Sequence, residues 1–176
     1  MTHTFSIQKD SKFFSHIGWA RTKNVRLFYK EISRDAVFDI FGDETAIKRI
    51  LINLLSNAIK FTESGGIVTC SISVNDNGDA ELSIKDTGIG IPEDKIEHVL
   101  SPFGQDTDAQ VMVKSEAGTG LGLSIVKQLA DMHGGEFILE SKVGVGTSAT
   151  IVITKNRIIE VKRIKPEQST KILRTA

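Results

Sequence analysis

IVTCSISVNDNGDAELSIKDTGIGIP, residues 67–92, decides the fold. The run IVTCSISV (67–74) and the run AELSIKD (80–86) alternate apolar and polar residues, with the turn residues NDNG between them. That pattern predicts two antiparallel strands joined as a hairpin. The second strand runs straight into a glycine loop, DTGIG. Leu82, Ile84 and Asp86 have the same parity, so they point to one side of the strand. A carboxylate turned to the apolar side is costly unless it meets a donor. Asp86 is therefore either the cap of the glycine turn or an acceptor for something bound there, and spacing alone leaves both open.

Working outward, Asp43 is placed to cap a helix in which Ile47, Ile50, Leu51, Leu54, Leu55 and Ala58 recur at helical spacing as a core-facing stripe. VRLFYKEI (25–32) and VFDIF (37–41) read as strands before it, and ESGG (63–66) ends it. Downstream, Pro92 opens a short helix over 93–100, and residues 101–118 are polar and long for a connection. A further helix is predicted over about 120–133, with Ile125, Leu129 and Met132 on one face and Gly134-Gly135 as its stop. EFILESK and TSATIVIT make a second hairpin across VGVG. Strands and helices do not alternate as regular βαβ units. The class is α+β: a two-layer sandwich, with a mixed, mostly antiparallel sheet covered on one face by about three helices.

A chain of 176 residues fits one domain with one core, and its 40% hydrophobic and 25% charged residues are ordinary for a globular protein. Net charge is zero, which gives no reason to expect nucleic acid or membrane binding. The charge is uneven: residues 155–176 carry seven Lys and Arg against two Glu, so this basic tail or linker is balanced by an acidic remainder. A single cysteine, Cys70, has no partner, which fits a reducing compartment and no structural zinc. No apolar run reaches the length of a membrane span, and the N-terminus lacks the apolar core of a signal peptide. A cytoplasmic segment is expected, whether or not its parent is membrane-anchored.

Asn53, Asn57 and Lys60 share one helix face, roughly 120° around from the apolar stripe. Such a face is either solvated or the wall of a pocket, and two asparagines one turn apart are poor interior helix residues that ask for a reason. GTGLGL (118–123) opens a helix without following a strand, which argues against a dinucleotide-binding unit. A glycine turn at a helix start still presents unpaired N–H groups to an anion.

Four segments in this order, NLLSNAIKFT (53–62), DTGIGIP (86–92), SPFGQ (101–105) and GTGLGLSIV (118–126), resemble the catalytic ATP-binding domain of bacterial sensor histidine kinases, in the gyrase/chaperone/histidine kinase/mismatch-repair ATPase superfamily. The match runs from about residue 20 to 154, with 1–19 as a leader or remnant of a preceding helical domain. The resemblance implies a Bergerat-type fold, ATP and Mg²⁺. It implies that Asn57 holds the metal and Lys60 contacts the phosphates. Asp86 would accept from the adenine amino group, with Gly88 and Gly90 allowing close approach, Ile91 lining the slot and Thr147 backing the aspartate. Gly118, Thr119, Gly120, Leu121, Gly122 and Leu123 would receive the polyphosphate. Residues 93–117 would be the flap over the nucleotide, docked by Phe103, with Lys114 as a candidate phosphate contact; core plug and surface lysine are the plainer readings of those two.

Superfamily members that hydrolyse ATP place a glutamate, their general base, where Asn53 stands, and an amide has no useful basicity near neutral pH. Transfer of the γ-phosphoryl group to a histidine on a separate dimerisation/phosphoacceptor domain fits better, with a response regulator downstream. An anti-sigma-type serine kinase and a non-catalytic nucleotide-binding module are the alternatives. None of His3, His16, His98 and His133 sits in the family's acceptor motif. After GVGT the family has an aromatic two positions on; here Ala149 stands in its place.

Overall fold

The computed structural model describes residues 18–31, 37–102 and 120–162. Strand β1 (Arg26–Glu31) is followed by β2 (Val37–Ile40) and the long helix α1 (Glu44–Phe61). The hairpin β3 (Ile67–Val74) and β4 (Ala80–Asp86) comes next. After it, a 3₁₀ turn (Glu93–Lys95) leads into the short helix α2 (Ile96–Leu100). Helix α3 (Gly122–Met132), the hairpin β5 (Glu136–Lys142) and β6 (Gly146–Ile153), and β7 (Ile158–Lys162) complete the order.

Five strands form one sheet in the order β1-β3-β4-β6-β5. Every neighbouring pair is antiparallel except β1 with β3, which is parallel. A parallel pair needs a crossover, and α1 lies within it. This is the mixed, mostly antiparallel sheet with helices that the sequence predicts. Apolar side chains of β4 (Ala80, Leu82, Ile84) and β6 (Ala149, Ile151, Ile153) point inward and share one core with α1 and α3. Ala149 is buried opposite Ile84 and Leu139 in register, a small side chain where the family has a ring.

The Asp43 cap forms as expected: its carboxylate accepts from the backbone N–H of Thr45 and Ala46. The stripe from Ile47 to Ala58 is buried throughout. Each such Leu or Ile contributes on the order of 1.5–3 kcal/mol on burial. At the other end of α1, the Lys23 ammonium donates to the carbonyls of Ile59 and Lys60, and the Thr62 hydroxyl to Ala58 O. A cation on the last carbonyls of a helix is favourable to its dipole.

Met132 does not share the core face of α3: that side chain is 76% exposed, and the core face is Val126 and Ala130, with Leu123 and Leu129 beside them. Apolar residues cover a broad arc of the helix opposite the polar strip Lys127, Gln128 and Asp131, so spacing alone leaves open which part of that arc faces the core. Contact with α1 selects the part holding the small Ala130. The first residues of the basic segment after residue 154 have regular structure. Lys155–Arg157 is a 3₁₀ turn, and β7 pairs antiparallel with β2.

His133 ends α3 and is buried. Its Nδ1 lies 2.7 Å from Leu129 O, and its Nε2 accepts from Asp43 N–H at 3.2 Å. A carbonyl can only accept, so Nδ1 carries the proton and the ring is the neutral tautomer. One imidazole thus ties the end of α3 to the start of α1.

Candidate functional site

The site has two ends, joined by α1. At the first, Asp86 ends β4 with its carboxylate buried, 7% exposed. Its Oδ1 accepts from Gly88 N–H at 2.8 Å and from Thr147 N–H at 3.2 Å. Its Oδ2 has no partner among the described residues. The two readings of Asp86 are therefore compatible: one oxygen caps the turn, and the other is open to a donor. Burial pushes its pKa up, and the two backbone N–H groups only partly offset that.

The loop after Asp86 is fastened from three sides. Ile89 N–H donates to Phe61 O at the end of α1, and Gly144 N–H donates to Ile89 O. Ile91 N–H donates to Ser141 Oγ at 2.8 Å. A Cβ on Gly88 would lie 2.4 Å from Phe61 O, and one on Gly90, where φ is +73°, 2.1 Å from Lys142 O. What these glycines approach is the protein's own backbone, which already excludes a side chain. Gly146, at φ +127°, has the same role against Asp86 O, and that contact aims Thr147 N–H at the carboxylate.

The second end lies where α3 begins. A Cβ on Gly122 would be 3.7 Å from Asn57 Nδ2 and 3.8 Å from Asn53 Oδ1. The two side-chain amides thus face the first turn of α3. That turn has no side-chain cap, and Gly120 before it has φ +70°. Leu121 stands at the N-cap position with its side chain half-buried, and Leu123 packs on the core. Lys60 is buried on the same helix, its ammonium 4.9 Å from the centre of the Phe61 ring. From Asn53 to Phe61 is about 12 Å along the axis at 1.5 Å per residue. The amides and the Asp86 loop therefore sit at separate places along one helix.

Phe103, Lys114, Gly118 and Thr119 lie outside the described residues, as do most of the expected flap and His3 and His16. Ser141 and Lys23 escaped the sequence reading. A serine at an inward position near a strand end was the signal for Ser141; nothing marked Lys23. Among the described residues no group of three or more His, Cys, Asp or Glu is placed to hold a metal.

A buried aspartate with one open oxygen, beside a glycine loop and an uncapped helix start faced by asparagines, fits a nucleotide with its base at one end and phosphates at the other. The family model for histidine kinase-, DNA gyrase B- and HSP90-like ATPases matches residues 42–157, and the chain belongs to that family. Within it the likeness is to sensor kinases. An uncharacterized sensor-like histidine kinase of Rhizobium meliloti is 43% identical over 134 residues, 76% of this chain and 25% of that protein. The mycobacterial sensor histidine kinase MprB structure has a TM-score of 0.68 at 25% identity, covering 93% of this chain and all of that one. Full-length ShkA, solved in complex with AMPPNP, has a TM-score of 0.69 at 26% identity, covering 93% of this chain and 32% of that one. The chain spans about a quarter or less of the length of the curated relatives it matches. Among the described residues, no helix is long and apolar enough to cross a membrane.

Proposed function

We propose that this chain is the ATP-binding catalytic domain of a two-component sensor histidine kinase, working in the cytoplasm. It transfers the γ-phosphoryl group of ATP to a histidine on a separate dimerisation/phosphoacceptor domain, from which a response regulator draws the phosphate. In this reading residues 20–154 are the catalytic unit, residues 1–19 a leader or the remnant of a preceding helical domain, and 155–176 a basic tail or linker. The observation that carries the reading is the pair of amides, Asn53 and Asn57, against the uncapped start of α3. This is a place to hold phosphates and a metal, with an amide where water activation would need a base.

The residues divide the work. Asp86 Oδ2 accepts from the exocyclic amine of adenine, and Ile91 and Thr147 border the base. Asn57 would offer its amide oxygen to Mg²⁺, and the ion would supply charge neutralisation at the phosphates. Lys60 and the first N–H groups of α3 hold the phosphates by charge and dipole. Asn53 orients without removing a proton, so water is a poor nucleophile here and an incoming imidazole a good one. Phe103, Lys114, Gly118 and Thr119 complete the set as flap dock, phosphate contact and glycine turn.

The test mixes the chain, Mg-ATP and the partner's phosphoacceptor helices, then quenches in acid and in base. The expected product is an acid-labile, base-stable phosphate on the partner. An acid-stable product would point to a serine kinase of the same superfamily, and strong labelling of this chain alone would refute the need for a separate acceptor.

A further inference from the structure

Ser141 is not a residue that the ATP site obviously needs, yet its hydroxyl holds more of that site together than any other side chain described. It is the penultimate residue of β5 and half-buried. Its Oγ lies 2.8 Å from Ile91 N, 3.1 Å from Gly146 O and 2.8 Å from Thr147 Oγ1. Ile91 and Thr147 border the proposed base slot, and Gly146 aims Thr147 N–H at Asp86.

A hydroxyl has one proton and two lone pairs. Ile91 N–H can only donate, so it takes one lone pair of Ser141. Gly146 O can only accept, so it takes the proton. The remaining lone pair of Ser141 must then be filled by the proton of Thr147. This is the only assignment in which all three contacts are hydrogen bonds. In the reverse assignment, with Ser141 donating to Thr147, Gly146 O loses its serine partner and one lone pair of Ser141 goes unused. The network therefore commits Thr147. Its proton is spent on Ser141, its backbone N–H is spent on Asp86, and its Oγ1 has only lone pairs left to offer.

We propose that Ser141 sets the base specificity of the nucleotide site by holding the hydroxyl of Thr147, the residue whose N–H binds Asp86, as an acceptor. Two acceptors suit the two N–H bonds of an exocyclic amino group, and they oppose the carbonyl that guanine presents at the same position. Without Ser141 the Thr147 hydroxyl is free to turn and donate, and the distinction weakens. This rests on the adenine reading of Asp86, and Ser141 acts through Thr147 as a positioning residue.

The experiment measures displacement of a fluorescent ATP analogue from the 176-residue chain by ATP and by GTP, each with Mg²⁺, for wild type, Ser141→Ala, Ser141→Thr, Thr147→Val and Ser141→Ala/Thr147→Val. The wild type prefers ATP. The preference falls roughly tenfold in Ser141→Ala, the size of one lost hydrogen-bond discrimination. Ser141→Thr, which keeps the hydroxyl, restores it to within about twofold of wild type. The double variant falls no further than Thr147→Val alone, because both changes remove one relay. If Ser141→Ala weakens ATP and GTP by the same factor, the serine is structural and the proposal is overturned while the adenine reading stands. If wild type already binds both nucleotides equally, the adenine reading fails and this proposal with it.

Discussion

Replacing Asp86 with asparagine separates the two jobs of its carboxylate. In the native protein Oδ1 takes the N–H groups of Gly88 and Thr147, and Oδ2 faces no described partner. Asparagine is the same shape, and its carbonyl oxygen keeps both backbone bonds. Its NH₂ takes the place of Oδ2, so an acceptor becomes a donor. The fold should survive, because the buried charge whose desolvation raised the native pKa is gone. Nucleotide affinity should not. A hydrogen bond to a charged group is worth about 1.5–3 kcal/mol, and that loss alone weakens ATP by about 10–150-fold. The new NH₂ also confronts the adenine amine donor to donor, so the loss sits at the upper end of that range. Toward GTP the sign reverses, since NH₂ can donate to a carbonyl, and the ATP preference should shrink or invert. Calorimetric titration of both nucleotides against wild type and Asp86→Asn, with melting curves as a control for folding, measures each part. If the variant melts as wild type and binds ATP as tightly, Asp86 does not contact the base.

Asn57→Ala, which removes the amide oxygen, should weaken Mg²⁺-dependent ATP binding by at least roughly tenfold. The effect should vanish in titrations with EDTA, and equal behaviour with and without metal would remove Asn57 from the metal site. Because burial raises Asp86 above its ordinary 3.8, the group favours the folded state fully below that pH. Its contribution is lost as pH rises from there to the raised folded-state value. The melting temperature of wild type relative to Asp86→Asn should accordingly fall with rising pH across this window and then level off; a flat difference would contradict the burial argument. Leu55→Ala, at a side chain 1% exposed in the centre of α1, should cost about 2–5 kcal/mol in urea denaturation. A cost below about 1 kcal/mol would mean that the core collapses around the gap.

The legible parts of the sequence were those in which one local rule acts without competition. The α1 stripe is one, because apolar and polar residues segregate cleanly from Ile47 to Ala58. The Asp43 cap and the two hairpins are others, since turn chemistry and strand parity agree there. Asp86 was conspicuous because it broke parity: a charged group occupied an inward place. What could not be read depends on pairings between distant segments. The parallel partnership of β1 with β3 joins Arg26 to Ile67, and that of β2 with β7 joins Val37 to Lys162. No local pattern encodes either. The core face of α3 was ambiguous because Leu121, Leu123, Ile125, Val126, Leu129 and Met132 spread over a broad arc, wider than the part that meets the core. Ser141 was hidden by its ordinary chemistry, since a strand serine gains meaning only when Ile91, Gly146 and Thr147 are known to surround it.

The His133 clasp gives α3 a mechanical character. Helices α1 and α3 run antiparallel, with Gly122 beside Asn53 and Asn57 and His133 beside Asp43. An 11-residue helix is about 16 Å long. One end of that rod is pinned to α1 by an imidazole, and the other lies where phosphates would bind. Between those ends Val126 and Ala130 are buried on the core, so the rod is held along its length as well as at the pin. The position of its glycine end relative to Asn53 and Asn57 is thus set from the far end of the same pair of helices, about three turns away.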